Sequence, residues 1–163
     1  MWKQKIESKI FKTKELLVNQ VDEWKESGHK IVFTNGCFDL LHLGHIDYLS
    51  NTADLADKLI IGVNSDASVS RLKGDSRPIT KQDTRLVKLA SMAFVDAVIL
   101  FDEQTPLTLI KSITPNVLAK GGDYTIDTIV GAEEVINAGG SVEVIPFLDG
   151  HSSSSIIEKI KND

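Results

Sequence analysis

Two histidines three apart, His42 and His45, stand in the stretch TNGCFDLLHLGH, beside Asp39, Gly36, Gly44 and the single cysteine, Cys37. At the start of a helix this spacing puts both imidazoles on one side. The free N–H groups and dipole of such a start favour an anion. A neutral imidazole can also donate to a phosphoryl oxygen as charge moves during transfer. Zinc helices pair histidines at i, i+4 with a glutamate, and this stretch has neither, so a phosphate cradle is favoured over a metal centre. Cys37 has no partnered base in view and reads as a packing residue rather than a nucleophile.

Three further clusters carry polar chemistry. In GHSSSSIIEKI, Gly150 turns the chain and Ser152, Ser153, Ser154 and Ser155 lead into an apolar-periodic run. One serine is enough to cap a helix. Four hydroxyls together with helix N–H groups make a seat for a di- or triphosphate. In RLKGDSRP, Arg71, Lys73 and Arg77 could clamp an anion, with Lys73 placed at the phosphoryl centre; a solvated loop is the plain alternative. In KGGDY, Lys120 ends an apolar run, paired glycines let the backbone approach a ligand, and Asp123 can accept from sugar hydroxyls or simply face water. His29, ahead of the first apolar run, reads as structural.

The elements that must position these groups follow from periodicity. Residues 3–26 predict one helix, with Ile6, Ile10, Leu16, Leu17, Val21 and Trp24 at near-helical spacing and Gly28 as its stop. KIVFTNG then predicts a buried strand. Helices over 44–55, 81–93, 105–113, 127–138 and 153–161 alternate with the strands DKLIIGVNSD, VDAVILF, NVLAKGGD and SVEVIPF. Thr105-Pro106 and Gly139-Gly140 mark helix ends. Apolar runs without strict alternation indicate strands covered on both faces. The expectation is therefore an α/β, doubly wound, five-stranded parallel sheet. Residues 1–28 form an N-terminal helical extension and 29–163 the main domain.

The 163 residues suit one such domain. No apolar run is long enough to span a membrane, and the start lacks the apolar core of a signal peptide. One cysteine precludes an internal disulfide and suits a reducing cytoplasm. A net charge of −5 argues against general nucleic-acid binding but leaves room for a local anion site. There is no G-x-x-x-x-G-K-[ST], and no G-x-G-x-x-G after the first strand, so a P-loop protein and a nicotinamide dehydrogenase are disfavoured. In open parallel sheets the ligand lies beyond the carboxyl ends of the strands. The loops at those ends hold three of the four histidines and several cations, and the opposite loops are shorter and blander. That asymmetry points to an enzyme or a small-molecule binder. Trp2 and Phe11 suit a homo-oligomer contact or core packing equally.

GCFDLLHLGH resembles the H-x-G-H signature of the nucleotidyltransferase superfamily, which includes cytidylyltransferases and class I aminoacyl-tRNA synthetases. GHSSSSIIEKI is similar to its second signature, a Ser/Thr-rich turn at the last helix. From about Lys30 to Ile160, the segments VNSDASVSRLKGDSRPI, VDAVILFDEQTP and LAKGGDYTIDTIVGAEEV resemble one branch, the adenylyltransferase domains of bacterial ADP-heptose synthases. There the domain is often fused to a sugar kinase, and this chain is similar to the stand-alone form. The resemblance implies that ATP and D-glycero-β-D-manno-heptose 1-phosphate give ADP-heptose and pyrophosphate for lipopolysaccharide core synthesis, with Mg²⁺ carried mainly on the ATP phosphates. It implies catalytic roles for His42, His45 and Lys73. Phe33, Thr34, Asn35, Gly36, Cys37, Phe38 and Gly44 would line the nucleotide site, and Ser152 to Ser155 would seat the β- and γ-phosphates. Asp39, Arg77, Lys120 and Asp123 would contact substrate. Lys159 keeps the charge of an arginine found in related cytidylyltransferases but loses its bidentate fork. Three alternatives stay open: a cytidylyltransferase acting on glycerol 3-phosphate or another alcohol phosphate, a non-catalytic nucleotide sensor, and a metal protein using His42, His45 and Cys37.

Overall fold

The apolar runs become strands of one all-parallel sheet in the computed structural model, which describes residues 1–162. In chain order these are β1 (Ile10–Phe11), β2 (Ile31–Gly36), β3 (Lys58–Asn64), β4 (Ala97–Phe101), β5 (Val117–Gly121) and β6 (Ser141–Ile145). In space they run β1-β4-β3-β2-β5-β6. The helices are α1 (Trp2–Glu7), α2 (Lys14–Glu26), α3 (Leu43–Ala53), α4 (Asp66–Lys73), α5 (Gln82–Ala90), α6 (Leu107–Ile113), α7 (Ala132–Asn137) and α8 (Ser153–Asn162). None is long and apolar enough to cross a membrane among the described residues.

Residues along each strand alternate between two cores, which is why the strands read as continuous apolar runs. Ile31, Phe33, Ile60 and Ile99 pack under α2, α6 and α7 with Leu17, Val21, Ile110 and Val135. Val32, Leu59, Ile61 and Val98 pack under α3 and α5 with Leu49, Leu86 and Leu89. The sheet is doubly wound, as the sequence predicts.

Two expectations need correction. Residues 3–26 are not one helix, and the sheet has six strands rather than five. Ile10 and Phe11 pair with Val98 and Ile99 and cover an edge of β4 that would otherwise be open. Thr13 then caps α2 by accepting from the Leu16 N–H at 3.3 Å, which restarts the helix. Phe11 packs on the core, whereas Trp2 stays 78 % exposed. The polar stretch after β3 is also not all loop: α4 forms there because the Ser65 side chain accepts from Ser68 N–H at 3.0 Å, with Asp66 in the first turn.

Strand order reverses between β2 and β5. From β2 the chain moves one way to β3 and β4, then crosses back to β5 and β6. The crevice between the carboxyl ends of β2 and β5 is where a ligand fits an open parallel sheet.

Candidate active site

β2 ends at Asn35-Gly36 and β5 at Lys120-Gly121, and the chain splays apart there. Two hollows meet at this point and share Asn35, Gly36, Cys37, Lys120 and Tyr124. One, of about 370 Å³, extends toward β4 and is edged by Asn64, Gln104, Thr105 and Thr128. The other, of about 300 Å³, extends toward α3 and α8 and holds His45, Tyr48, Lys73, Phe147 and Ser153. Glycine is required at both strand ends because aromatic rings fold over them. A Cβ on Gly36 would lie 2.9 Å from the Phe38 ring, and one on Gly121 would lie 2.5 Å from the Phe147 ring.

His42 is the N-cap residue of α3, in extended backbone, and His45 sits in the first turn. Their rings stack with centroids 3.9 Å apart, and Phe38 packs edge-on against His45 at 5.4 Å. Burial pushes the His45 pKa down to about 4, helped by His42 and Lys73, with the Leu40 carbonyl pulling weakly the other way. His42 is lowered by burial and then by His151. Both rings are thus neutral near pH 7. Each Nδ1 is enclosed without a partner. With the proton of each ring on Nε2, the enclosed Nδ1 is left as a lone pair and each neutral ring keeps one N–H to donate. Gly44 lies beneath them; a Cβ there would meet the His42 ring at 3.1 Å and His151 Cβ at 3.2 Å.

The serine turn arrives from the other end of the chain. Ser152 Oγ caps α8 by accepting from Ser155 N–H at 3.1 Å. Ser153 Oγ donates to the Leu40 carbonyl at 3.3 Å, tying the turn to the histidine loop across 113 positions of sequence. Ser153 shares its hollow with His45 and Lys73, and Ser154 faces an adjoining one with Lys73 and Arg77.

Lys73, the last residue of α4, is exposed and makes no ion pair among the described residues. Arg71 turns away to Asp102. Lys120 lines both hollows, its pKa lowered by burial, and its ammonium lies 5.7 Å from the centroid of the Tyr124 ring.

Several expected ligand contacts are placed differently. Phe33 is fully buried in the core, and Thr34, also fully buried, pairs its hydroxyl with Tyr48 at 2.6 Å. Asp39 is spent inside the chain: it accepts from Arg77 Nε at 2.6 Å, Ile79 N–H at 2.9 Å and Thr80 N–H at 2.7 Å. Burial alone would raise its pKa, but the two N–H groups and the Arg77 guanidinium outweigh burial and hold it low. Arg77, in turn, is occupied with Asp39, and its Nη2 is enclosed without a partner. Asp123 is exposed and Lys159 is exposed, and neither lines the two hollows. Asn35, Gly36, Cys37, Phe38, His45, Lys73, Lys120 and Ser153 do come together.

Sequence reasoning missed Tyr48, Asn64, Phe147 and above all Arg85, which has no exposed surface. The signal for Arg85 was present: it stands one turn before Leu89 on the apolar stripe of α5. An arginine on a buried stripe must be hydrogen-bonded.

Known proteins agree with this geometry. The chain is 50% identical to the bifunctional protein HldE of Geobacter sulfurreducens over 149 residues, 91% of this chain and 30% of that protein. It is 53% identical to HldE of a Marinomonas species over 143 residues, 88% of this chain and 30% of that protein. The chain thus spans under a third of the length of these curated relatives. Among solved structures, a lipopolysaccharide core biosynthesis protein from Thermoplasma volcanium is 30% identical with a TM-score of 0.59, covering 74% of this chain and 98% of that one. The pantoate–beta-alanine ligase of Francisella tularensis shares the fold alone, at 14% identity and a TM-score of 0.56, over 93% of this chain and 76% of its own. Residues 33–159 match the cytidylyltransferase-like family. By that match and these relatives, the chain belongs to the cytidylyltransferase-like family.

Proposed function

We propose that the chain is an adenylyltransferase that moves AMP from MgATP to D-glycero-β-D-manno-heptose 1-phosphate and releases pyrophosphate. The observation that carries this reading is the convergence of His45, with His42 stacked on its ring, and the serine-started helix α8 on one hollow beside Lys73. The relatives named HldE and the solved lipopolysaccharide core protein support the choice of sugar. The hollow edged by Asn64, Gln104, Thr105 and Thr128 suits a ligand with many hydroxyls. Phe147, 58% exposed beside the other hollow, suits stacking of a base.

A sugar phosphate oxygen is already a nucleophile at neutral pH, so no general base or covalent intermediate is needed. It attacks the α-phosphorus, the bond to the bridging oxygen of the β-phosphate breaks, and pyrophosphate leaves with that electron pair. The two Nε2–H groups and Lys73 stabilise charge as it moves, and the starts of α3 and α8 hold the polyphosphate. Mg²⁺ enters as part of the substrate, on the phosphates. This fits the residues present, because Asp39, the carboxylate beside His45, has both oxygens engaged by the chain. The catalytic unit in this reading is 29–163, with 1–28 as an extension that closes one sheet edge.

The test is pyrophosphate release from ATP, CTP, GTP and UTP, each against heptose 1-phosphate and glycerol 3-phosphate. ATP with heptose 1-phosphate should turn over fastest, and His42→Ala and His45→Ala should each lose at least ~100-fold in kcat. Preferred turnover of CTP with glycerol 3-phosphate, or mutants with wild-type kinetics, would reject the assignment.

A further inference from the structure

Arg85 heads the largest side chains that are fully buried in this protein. Its donors are met mainly by main-chain oxygens. Nη1 donates to the carbonyls of Cys37 at 2.6 Å and Asn64 at 2.8 Å, and Nε donates to the carbonyl of Thr80 at 3.0 Å. Only Nη2 meets a carboxylate, Asp66, at 2.9 Å. Three of the four contacts are thus to main-chain oxygens, two of them just where the chain leaves β2 and β3 at the crevice. Satisfying a buried guanidinium requires acceptors of some kind, and here two of them lie at the strand ends that border the crevice.

The contact with Cys37 has a geometric consequence. In a trans peptide the C=O and the following N–H point in opposite directions. The guanidinium holds the Cys37 carbonyl toward the interior, so the Phe38 N–H points away from it, and Cys37 and Phe38 line the hollow with His45 and Lys73. That N–H has no acceptor in the chain among the described residues. Phe38 also holds φ at 49°, a region that a bulky residue adopts only when its surroundings fix it. A donor held rigidly at the edge of a phosphate site stabilises a transferring phosphoryl group without reorganisation.

We propose that Arg85 is a positioning residue for nucleotidyl transfer: by gripping the Cys37 carbonyl from below, it aims the Phe38 N–H at the nucleotide phosphates. The inference rests on the nucleotidyl-transfer reading above, but its first readout needs no turnover. In ¹⁵N-labelled protein, α,β-methylene-ATP should move the Phe38 amide proton downfield in the wild type. In Arg85→Lys, which keeps the charge but loses the fork, that response should vanish. The same variant should lose at least about tenfold in kcat, with KM for ATP changed far less. Asp66→Asn serves as the control: it loosens the same arginine without freeing the Cys37 carbonyl, so it should lower thermal stability yet keep both the amide response and kcat. A Phe38 amide that ignores the analogue in the wild type overturns the proposal, even if Arg85→Lys does not fold. So does an undiminished response in Arg85→Lys, or an Asp66→Asn enzyme as slow as Arg85→Lys. If Phe38 responds as expected but no triphosphate yields pyrophosphate, the transfer reading fails while the aiming of the Phe38 N–H at nucleotide phosphates by Arg85 stands.

Discussion

Replacing His45 by asparagine should make the protein less sensitive to acid. Burial first, and the neighbouring His42 and Lys73 next, lower the His45 pKa from an ordinary 6.5 to about 4. Below pH 6.5 the unfolded chain takes up a proton there that the native ring refuses. The contribution of this residue to stability is therefore level above pH 6.5, falls as the pH drops toward 4, and is level again below that. At ~1.4 kcal/mol per unit, the full window amounts to ~3.4 kcal/mol. The ring is only partly enclosed, so screening by solvent cuts this to roughly half. Between pH 7.5 and 5.0 the wild type should thus lose about 1 kcal/mol through His45 alone, which His45→Asn would not lose. With a urea m-value of about 2 kcal/mol/M, the difference is about 0.5 M in midpoint. Urea titrations of both proteins at the two pH values measure it. Identical pH-dependence in the two proteins, or an NMR titration of His45 centred at 6.5 or above, would refute the claim that the stacked pair is neutral.

Two other substitutions separate roles that the sequence merges. Asp39→Asn removes the buried partner of Arg77 and should cost about 3–5 kcal/mol, read as a fall in the urea midpoint. Its turnover should fall too, because the 77–80 segment beside Lys73 loses the carboxylate that holds it. Cys37→Ser should retain near-wild-type turnover, and the wild-type thiol should alkylate slowly at neutral pH, since burial pushes its pKa up. Rapid loss of activity on alkylation at pH 7 would contradict this.

The fold was legible where hydrophobic pattern and geometry agree. Five apolar runs became five strands because burial on both faces leaves a continuous signal. The sixth strand was not legible, because two residues, Ile10 and Phe11, carry no period of their own. They fit a helical pattern until the open edge of β4 is known. α4 was hidden by its polar composition: only Ser68 and Val69 are buried, so it has almost no apolar stripe to read. At the site, the meeting of His45 and Ser153 was legible because both stand at helix starts beyond the carboxyl ends of strands. The internal engagement of Asp39 was not legible, because a carboxylate in a polar loop has the same sequence signature whether it faces a ligand or three internal donors. Arg85 was the reverse case, a charge that drew no reading although it stands on the buried stripe of α5.

The chain carries a net charge of −5, yet in the proposed reading its crevice receives a polyanion. Part of the positive character there comes from groups that carry no full charge: two helix starts, backbone N–H groups, and imidazoles whose pKa is lowered by burial and by neighbouring imidazoles. Lys120 is pushed the same way, since burial lowers its pKa. Lys73, on the exposed end of α4, is left as the cation least constrained by the fold. A crevice crowded with fixed cations would bind ATP and pyrophosphate alike and release the product slowly. Neutral donors gain strength as charge gathers on the oxygens they face, and lose it once the charge departs. The low His45 pKa and the buried arginine beneath the loop thus serve one arrangement. The charges of Arg77 and Arg85 lie under the floor of the cleft, Lys73 and Lys120 bring theirs to its lining, and the neutral donors beside them are fixed in direction.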